Sequence, residues 1–167
     1  MRRFAMVVAT LILGLLVTTG RAADPSFGLR TSNSSPAVEP GTSFTVYVDG
    51  YDLGLVSSYQ AQLAMPSGLV VTQVNDGTIF SGFHMTTTNL SVPRLSSMLM
   101  AAPYYTSAGA SAELASFQVT VPSNAALGKR TIATAGSLYY DGDGFRVPSV
   151  GPGVVSLNVA APILEVS

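Results

Sequence analysis

Short runs in which apolar and polar residues alternate recur along this chain, and each is closed by Gly, Pro, Asn or Asp. In the clearest run, 43–51, Phe44, Val46 and Val48 share one side of the predicted strand. Similar runs predict further strands over 27–32, 57–65, 69–74, 78–83, 86–92, 95–102, 113–121, 130–140 and 153–159. Strands of this length with closely spaced turns are typical of an antiparallel sandwich or barrel, and they do not fit a parallel α/β sheet.

Two local features refine this pattern. In the run 113–121 the apolar phase slips near Ala115, which predicts a β-bulge. The sequence Asn75-Asp76-Gly77 is typical of a tight turn, because these residues accept positive φ angles.

The first residues predict an export signal. A basic pair at positions 2 and 3 is followed by an unbroken run of apolar and small residues over 4–17 and by small residues before position 24. This order is typical of a secretory signal peptide, here 1–22, with cleavage after Ala22 or Ala23. The alternative is an uncleaved anchor, which the run disfavours because a membrane span needs about 20 apolar residues. We therefore expect a secreted, extracellular protein with no membrane attachment after cleavage.

The composition of the chain limits the partners and the kinds of site that it can have. After cleavage about 145 residues remain, the size of one domain, and they carry five basic and nine acidic residues, a net charge of −4. No basic stripe is available to neutralise phosphates, so a nucleic-acid partner is excluded. Cysteine is absent, which excludes disulfides and thiolate metal sites. Charged residues make up only 10% of the chain, well below the usual quarter.

Three stretches give the chain a family resemblance. The segment 39–53 places a Pro-Gly pair before an alternating strand, 58–74 joins two strands through a proline turn, and 115–159 ends in a strand, an Asp/Gly turn and a last strand. Together they make residues 27–159 resemble a cohesin domain, with 160–167 as a C-terminal tail. The resemblance implies a nine-stranded jelly-roll sandwich, shared with some carbohydrate-binding modules. It also implies a non-catalytic domain that binds a protein partner or a glycan on one sheet face.

The candidate binding residues are polar and aromatic. Gln60 and Gln62 point outward from one strand, and Asn89 with Ser91 on a neighbouring strand would extend a flat polar face, although such a face can equally be only solvated. Paired rings at Tyr104 and Tyr105, in a predicted loop, could stack on sugar rings, while Trp, the stronger platform, is absent.

Asp141 and Asp143 alternate with glycines and pose a separate question. A helix–loop–helix calcium site needs about five oxygen donors and ends in a Glu, which does not follow here, so we interpret the stretch as a hairpin turn and leave calcium as a weak alternative. Two carboxylates in one turn would lie on a rim and not across a cleft, which disfavours glycoside hydrolysis.

His84 is the only histidine, and no nucleophile elbow accompanies it, so we interpret it as structural. The sequence therefore predicts a secreted β-sandwich that is not an enzyme, needs no cofactor, and docks a dockerin-like protein module or a polysaccharide. It would act in an extracellular polysaccharide-degrading or cell-surface assembly. The alternative is an extracellular structural component that associates with itself through Thr- and Ser-rich edge strands.

Overall fold

The structure is a computed structural model that describes residues 24–147 and 153–161, and every regular element in these ranges is a strand. The fourteen strands are β1 (Ser26–Thr31), β2 (Ala37–Val38), β3 (Ser43–Tyr51), β4 (Leu55–Val56), β5 (Ser58–Ala64), β6 (Val70–Asp76), β7 (His84–Asn89), β8 (Arg94–Leu99), β9 (Thr106–Ser107), β10 (Ser111–Thr120), β11 (Gly128–Thr134), β12 (Leu138–Tyr140), β13 (Arg146–Val147) and β14 (Val154–Val159). Nine of them have six residues or more.

Two sheets form the sandwich. The first has the antiparallel order β1-β3-β10-β6. In the second, β5 pairs on one side with β8, which pairs in turn with β7. The other side of β5 pairs with β12 along one part and with β11 along another. β12 pairs in turn with β13, and β11 pairs with β14. β2 adds a parallel edge to β14, and β4 with β9 forms a separate ribbon. The predicted all-β sandwich is confirmed.

The alternation of side chains builds the core between the sheets. Val46 and Val48 on β3 are fully buried, as are Phe117 and Val119 on β10, with which β3 pairs. Burying each such side chain contributes roughly 1.5–3 kcal/mol. The predicted bulge near Ala115 is confirmed, because the register of β10 on β3 shifts between Glu113 and Ala115.

Some predicted boundaries are wrong. The segment 78–83 forms no strand, because the chain turns away after Gly77, where the Gly77 and Thr78 amides donate to the Leu114 and Glu113 carbonyls at 2.9 and 3.0 Å. The predicted turn at 75–77 begins too early, since Asn75 and Asp76 still pair with β10. The single strand predicted over 130–140 is split into β11 and β12 around Gly136, whose φ is +66°.

The predicted signal peptide, 1–22, lies outside the described residues, as does 162–167 of the predicted tail. The described part of that tail begins on the sandwich, since the Ala160 amide donates to the Val38 carbonyl at 2.9 Å. Among residues 24–147 and 153–161 there is no helix with the length and apolar character that a membrane crossing requires.

Candidate functional site

The outward side of the second sheet is a regular lattice of side chains, which we call the outer face. Its rows run across β13, β12, β5, β8 and β7, and their members follow from the strand registers. The first row is Arg146, Tyr140, Ser58, Met98 and Met85; the second is Leu138, Gln60, Ser96 and Thr87; the third is Gln62, Arg94 and Asn89. All of these residues are exposed or half-buried, so the face is open to a partner.

The outer face is shallow and changes character along its strands. A depression of about 280 Å³ lies over its first two rows, with Met98, Leu138 and Tyr140 in its lining. Met85 and Met98 are 50% and 42% exposed, which gives this end an apolar surface. The opposite end consists of amides and one guanidinium. Such a surface can hold another macromolecule by contact, but it offers no deep cleft for a reaction.

The predicted amide residues are partly brought together. Gln60 and Gln62 both lie on β5 in the outer face, and the Gln60 side chain donates to the Gly136 carbonyl at 2.8 Å. The expectation that Asn89 and Ser91 lie on the strand next to β5 is wrong. Asn89 ends β7, which β8 separates from β5, and Ser91 lies in the β7–β8 turn. The reason is local, because the Asn89 Oδ1 accepts the Val92 amide at 3.0 Å and closes this turn.

Tyr104 and Tyr105 lie in the loop between β8 and β9, where they are 61% and 43% exposed. Tyr105 lines a second recess of about 190 Å³ together with Phe80 and Phe83. This recess shares no lining residue with the depression on the outer face. The tyrosine pair and the amides are therefore separate surfaces. A glycan platform at the tyrosines stays a prediction, which retention on insoluble cellulose or chitin would test.

Asp141 acts as a turn residue. Its Oδ1 accepts the Asp143 and Phe145 amides at 3.0 and 2.8 Å, and its backbone carbonyl accepts the Gly144 amide at 3.0 Å. These bonds close the β12–β13 hairpin, as the turn interpretation predicts. Among the described ranges, no three His, Cys, Asp or Glu side chains are grouped so that they could hold a metal ion. Calcium at Asp141 and Asp143 therefore has no support from additional acidic ligands there.

Asp76 is a polar residue at the core whose role the sequence did not reveal. It lies at the end of β6 and receives donors from the opposite sheet. Its Oδ1 accepts the Tyr59 hydroxyl and the Gly77 amide, the latter at 3.0 Å. Its Oδ2 accepts the Thr86 and Ser97 hydroxyls at 2.5 and 3.2 Å. The carboxylate is partly buried, with its side chain 21% exposed, and it links the two layers of the sandwich through these hydrogen bonds.

Tyr59 is the central donor to this carboxylate. Its ring is 2% exposed, and its hydroxyl also lies 2.6 Å from the Leu114 carbonyl. Burial raises the pKa of Tyr59 well above its ordinary value, and the negative charge of Asp76 raises it further. The phenol therefore stays protonated in the folded protein and serves as a hydrogen-bond donor.

His84 has a partner that the sequence did not indicate. Its Nε2 lies 2.9 Å from the Asp76 Oδ2, and its Nδ1 lies 2.7 Å from the Gly82 carbonyl. Both ring nitrogens are thus engaged by oxygen acceptors. Ser97, the neighbouring serine, donates to the carboxylate and not to the imidazole. A Ser-His-Asp relay requires the serine on the imidazole, so this arrangement fits the structural interpretation of His84.

On the outward side of the first sheet, the basic side chain of Arg30 is paired with acidic side chains. Arg30 lies 2.8 Å from Asp49 and 2.5 Å from Glu113, and its guanidinium stacks on the ring of Tyr47 at 3.8 Å.

Arg94, on the second sheet, makes no side-chain hydrogen bond or ion pair within residues 24–147 and 153–161. The alternation of Arg94, Ser96 and Met98 with the more buried Leu95 and Ser97 could have assigned them to an outward face.

Comparison with known proteins concerns the fold. No protein-family model matches this chain, and no curated protein matches it. Solved structures do match. The third ScaB cohesin of R. flavefaciens, solved in complex with a group 1 dockerin, has a TM-score of 0.61 and 17% identity over 83% of this chain and 96% of that chain.

Two further cohesins agree with it. The seventh ScaB type I cohesin of Pseudobacteroides cellulosolvens has a TM-score of 0.61 at 13% identity, covering 86% of this chain and 98% of its own. A non-cellulosomal cohesin from the hyperthermophilic archaeon Archaeoglobus fulgidus has a TM-score of 0.56 at 16% identity, covering 83% and 93%. The predicted cohesin-like sandwich is confirmed as a fold.

Proposed function

We propose that this chain is an exported, non-catalytic docking module whose partner is a protein carrying a dockerin-like module. The observation that supports this most directly is the outer face. It spans five strands, its outward side chains remain accessible, and it has no recess in which a reaction could be enclosed. Flat faces of this kind bind through area and complementarity, as protein interfaces do.

The choice of partner rests on the shared fold. The R. flavefaciens cohesin, which resembles this chain in fold, is known in complex with a dockerin. On this chain the first row would supply apolar contact that excludes water, through Met85, Met98 and Tyr140. The amides of Gln60 and Gln62 would fix the orientation of the partner by hydrogen bonds.

A capture experiment with matched variants tests the proposal. The purified protein is used as bait in culture medium of the source organism, beside Ser96→Arg, which places a long charged side chain in the centre of the outer face. Thr72→Arg is the control, because Thr72 is exposed on β6 of the first sheet. We expect an exported protein that the wild type and Thr72→Arg retain and Ser96→Arg loses. Equal retention by all three would contradict docking on this face.

Self-association is the second candidate, and the edge strand β7 favours it. β7 pairs only with β8 among the described strands, and four of its six residues are exposed. Its free backbone groups could pair with the same strand of another copy. Light scattering over a range of concentrations distinguishes the two functions, since a docking module stays monomeric alone while a self-assembling one gains mass.

A further inference from the structure

The two ends of the outer face differ in chemistry. At one end, Met85, Met98 and Tyr140 are at least 36% exposed in the first row, where Met85 and Met98 are neighbours and Ser58 lies between Met98 and Tyr140. Methionine side chains adapt to a partner's shape, and an aromatic ring adds rigid apolar area. This end fits an apolar side chain of a partner.

The other end is a cluster of hydrogen-bond donors. Arg94 lies in register between Gln62 on β5 and Asn89 on β7. The Asn89 Oδ1 is occupied by the Val92 amide, which leaves its Nδ2 group to donate. A guanidinium offers five donors in a planar fork that matches a carboxylate. The cluster therefore presents positive charge and N–H groups toward the solvent.

The described positions of the outer face give Arg94 no negative charge to compensate its own. No Asp or Glu occupies any position of the three rows. The other cation of the face, Arg146, follows the β12–β13 turn, which contains Asp141 and Asp143. Arg94 has no such neighbours in its row. Arg94 is half-buried as a residue and has no counter-ion among residues 24–147 and 153–161, which favours a carboxylate supplied by the partner.

We propose that the protein bound on the outer face places an Asp or Glu carboxylate on Arg94 and an apolar side chain on Met85 and Met98, about 13 Å away. The spacing follows from the four residue steps that lead from Arg94 to Met98 along β8, each rising about 3.3 Å. The inference rests on the proposed function, because it concerns the partner of the same face. In an extended partner the two groups would be about four residues apart, and in a helical partner about eight or nine.

Peptide selection tests this chemistry without knowledge of the natural partner. A phage-displayed library of random peptides about 16 residues long, which spans 13 Å as a strand or as a helix, is selected on the purified protein. We expect the enriched peptides to combine an acidic and a large apolar residue at one of the two spacings. Their affinities are then measured for the wild type and for Arg94→Gln, Arg94→Lys, Lys129→Gln and Ser96→Arg.

The variants separate the inference from the proposed function. Arg94→Gln should weaken peptide binding at least about tenfold, and Arg94→Lys should bind more tightly than Arg94→Gln but less tightly than the wild type. Lys129→Gln should bind like the wild type, because Lys129 lies on β11, outside the three rows. Replacing the acidic residue of the peptide by its amide should remove the difference between wild type and Arg94→Gln. Unchanged melting temperatures of the variants show that the fold is intact.

Two results would overturn the inference. Peptides that bind equally to wild type and Arg94→Gln but are lost with Ser96→Arg would leave docking on the outer face standing and refute the role of Arg94. Peptides whose affinity is the same for wild type, Arg94→Gln and Ser96→Arg would count against both the inference and docking on the outer face. A selection that enriches no peptide would do the same.

Discussion

The substitution Tyr59→Phe probes the hydrogen bonds that join the two sheets. It removes one hydroxyl and keeps the buried ring in place. The hydroxyl bonds the Asp76 carboxylate and lies 2.6 Å from the Leu114 carbonyl. A hydrogen bond to a charged group contributes about 1.5–3 kcal/mol. After the substitution the two acceptors still share one donor, the Gly77 amide, which lies 3.0 Å from the Asp76 Oδ1 and 2.9 Å from the Leu114 oxygen.

We therefore expect Tyr59→Phe to lower the free energy of unfolding by about 2 kcal/mol, in the middle of the range for a bond to a charged group. For a domain of this size, each kcal/mol shifts the melting temperature by roughly 3–5 °C, so the expected fall is about 6–10 °C. Urea and thermal unfolding followed by circular dichroism measure both quantities.

Tyr139→Phe is the matched control. Tyr139 is the cross-strand partner of Tyr59 and is 3% exposed, yet its hydroxyl makes no hydrogen bond within the described residues. Its loss should cost less than about 0.5 kcal/mol. If the two phenylalanine variants unfold within about 0.5 kcal/mol of each other, the inter-sheet role of the Tyr59–Asp76 pair is refuted.

Three further predictions follow from single sites. The pKa of Tyr59 is raised in the folded protein, so the stability that this residue contributes is complete below its unfolded pKa of about 10. Above that pH the contribution is lost by about 1.4 kcal/mol per pH unit. Unfolding measured at alkaline pH should show this loss in the wild type relative to Tyr59→Phe, and parallel stability curves would contradict the prediction. Gly77→Ala should cost about 3 kcal/mol, because its Cβ would lie 2.5 Å from the Leu114 carbonyl carbon, whereas Gly82→Ala, with no atom within 4 Å of the new Cβ, should unfold like wild type in urea. A chelator should leave the melting temperature unchanged, while a fall would reveal a calcium site, since calcium held at a hundred times its dissociation constant adds about 2.7 kcal/mol.

Local pattern predicts the strands of this fold well. The bounds of β3, 43–51, match the sequence prediction because each second residue is apolar and turn residues flank the run. The bulge near Ala115 also follows from a local slip of phase. These features depend on neighbouring residues along the chain, which a single sequence contains.

Long-range contacts limit what the sequence predicts of the site. Asn75-Asp76-Gly77 has the chemistry of a turn, but Asp76 ends a strand and bonds Tyr59 and Ser97, which lie 17 and 21 residues away. Gln62 and Asn89 share a row only because β8 lies between their strands, and alternation does not specify strand order. Arg94 lies between them because its strand, β8, pairs with both β5 and β7.

Hydrogen exchange of the backbone amides, with and without the exported protein that the wild type retains, tests the docking claim most directly. The account predicts that binding slows exchange in β5, β7, β8 and β12, around Gln60, Thr87, Ser96 and Leu138. Slower exchange confined to β3 and β10 of the first sheet, or to the loop around Tyr104, would contradict it.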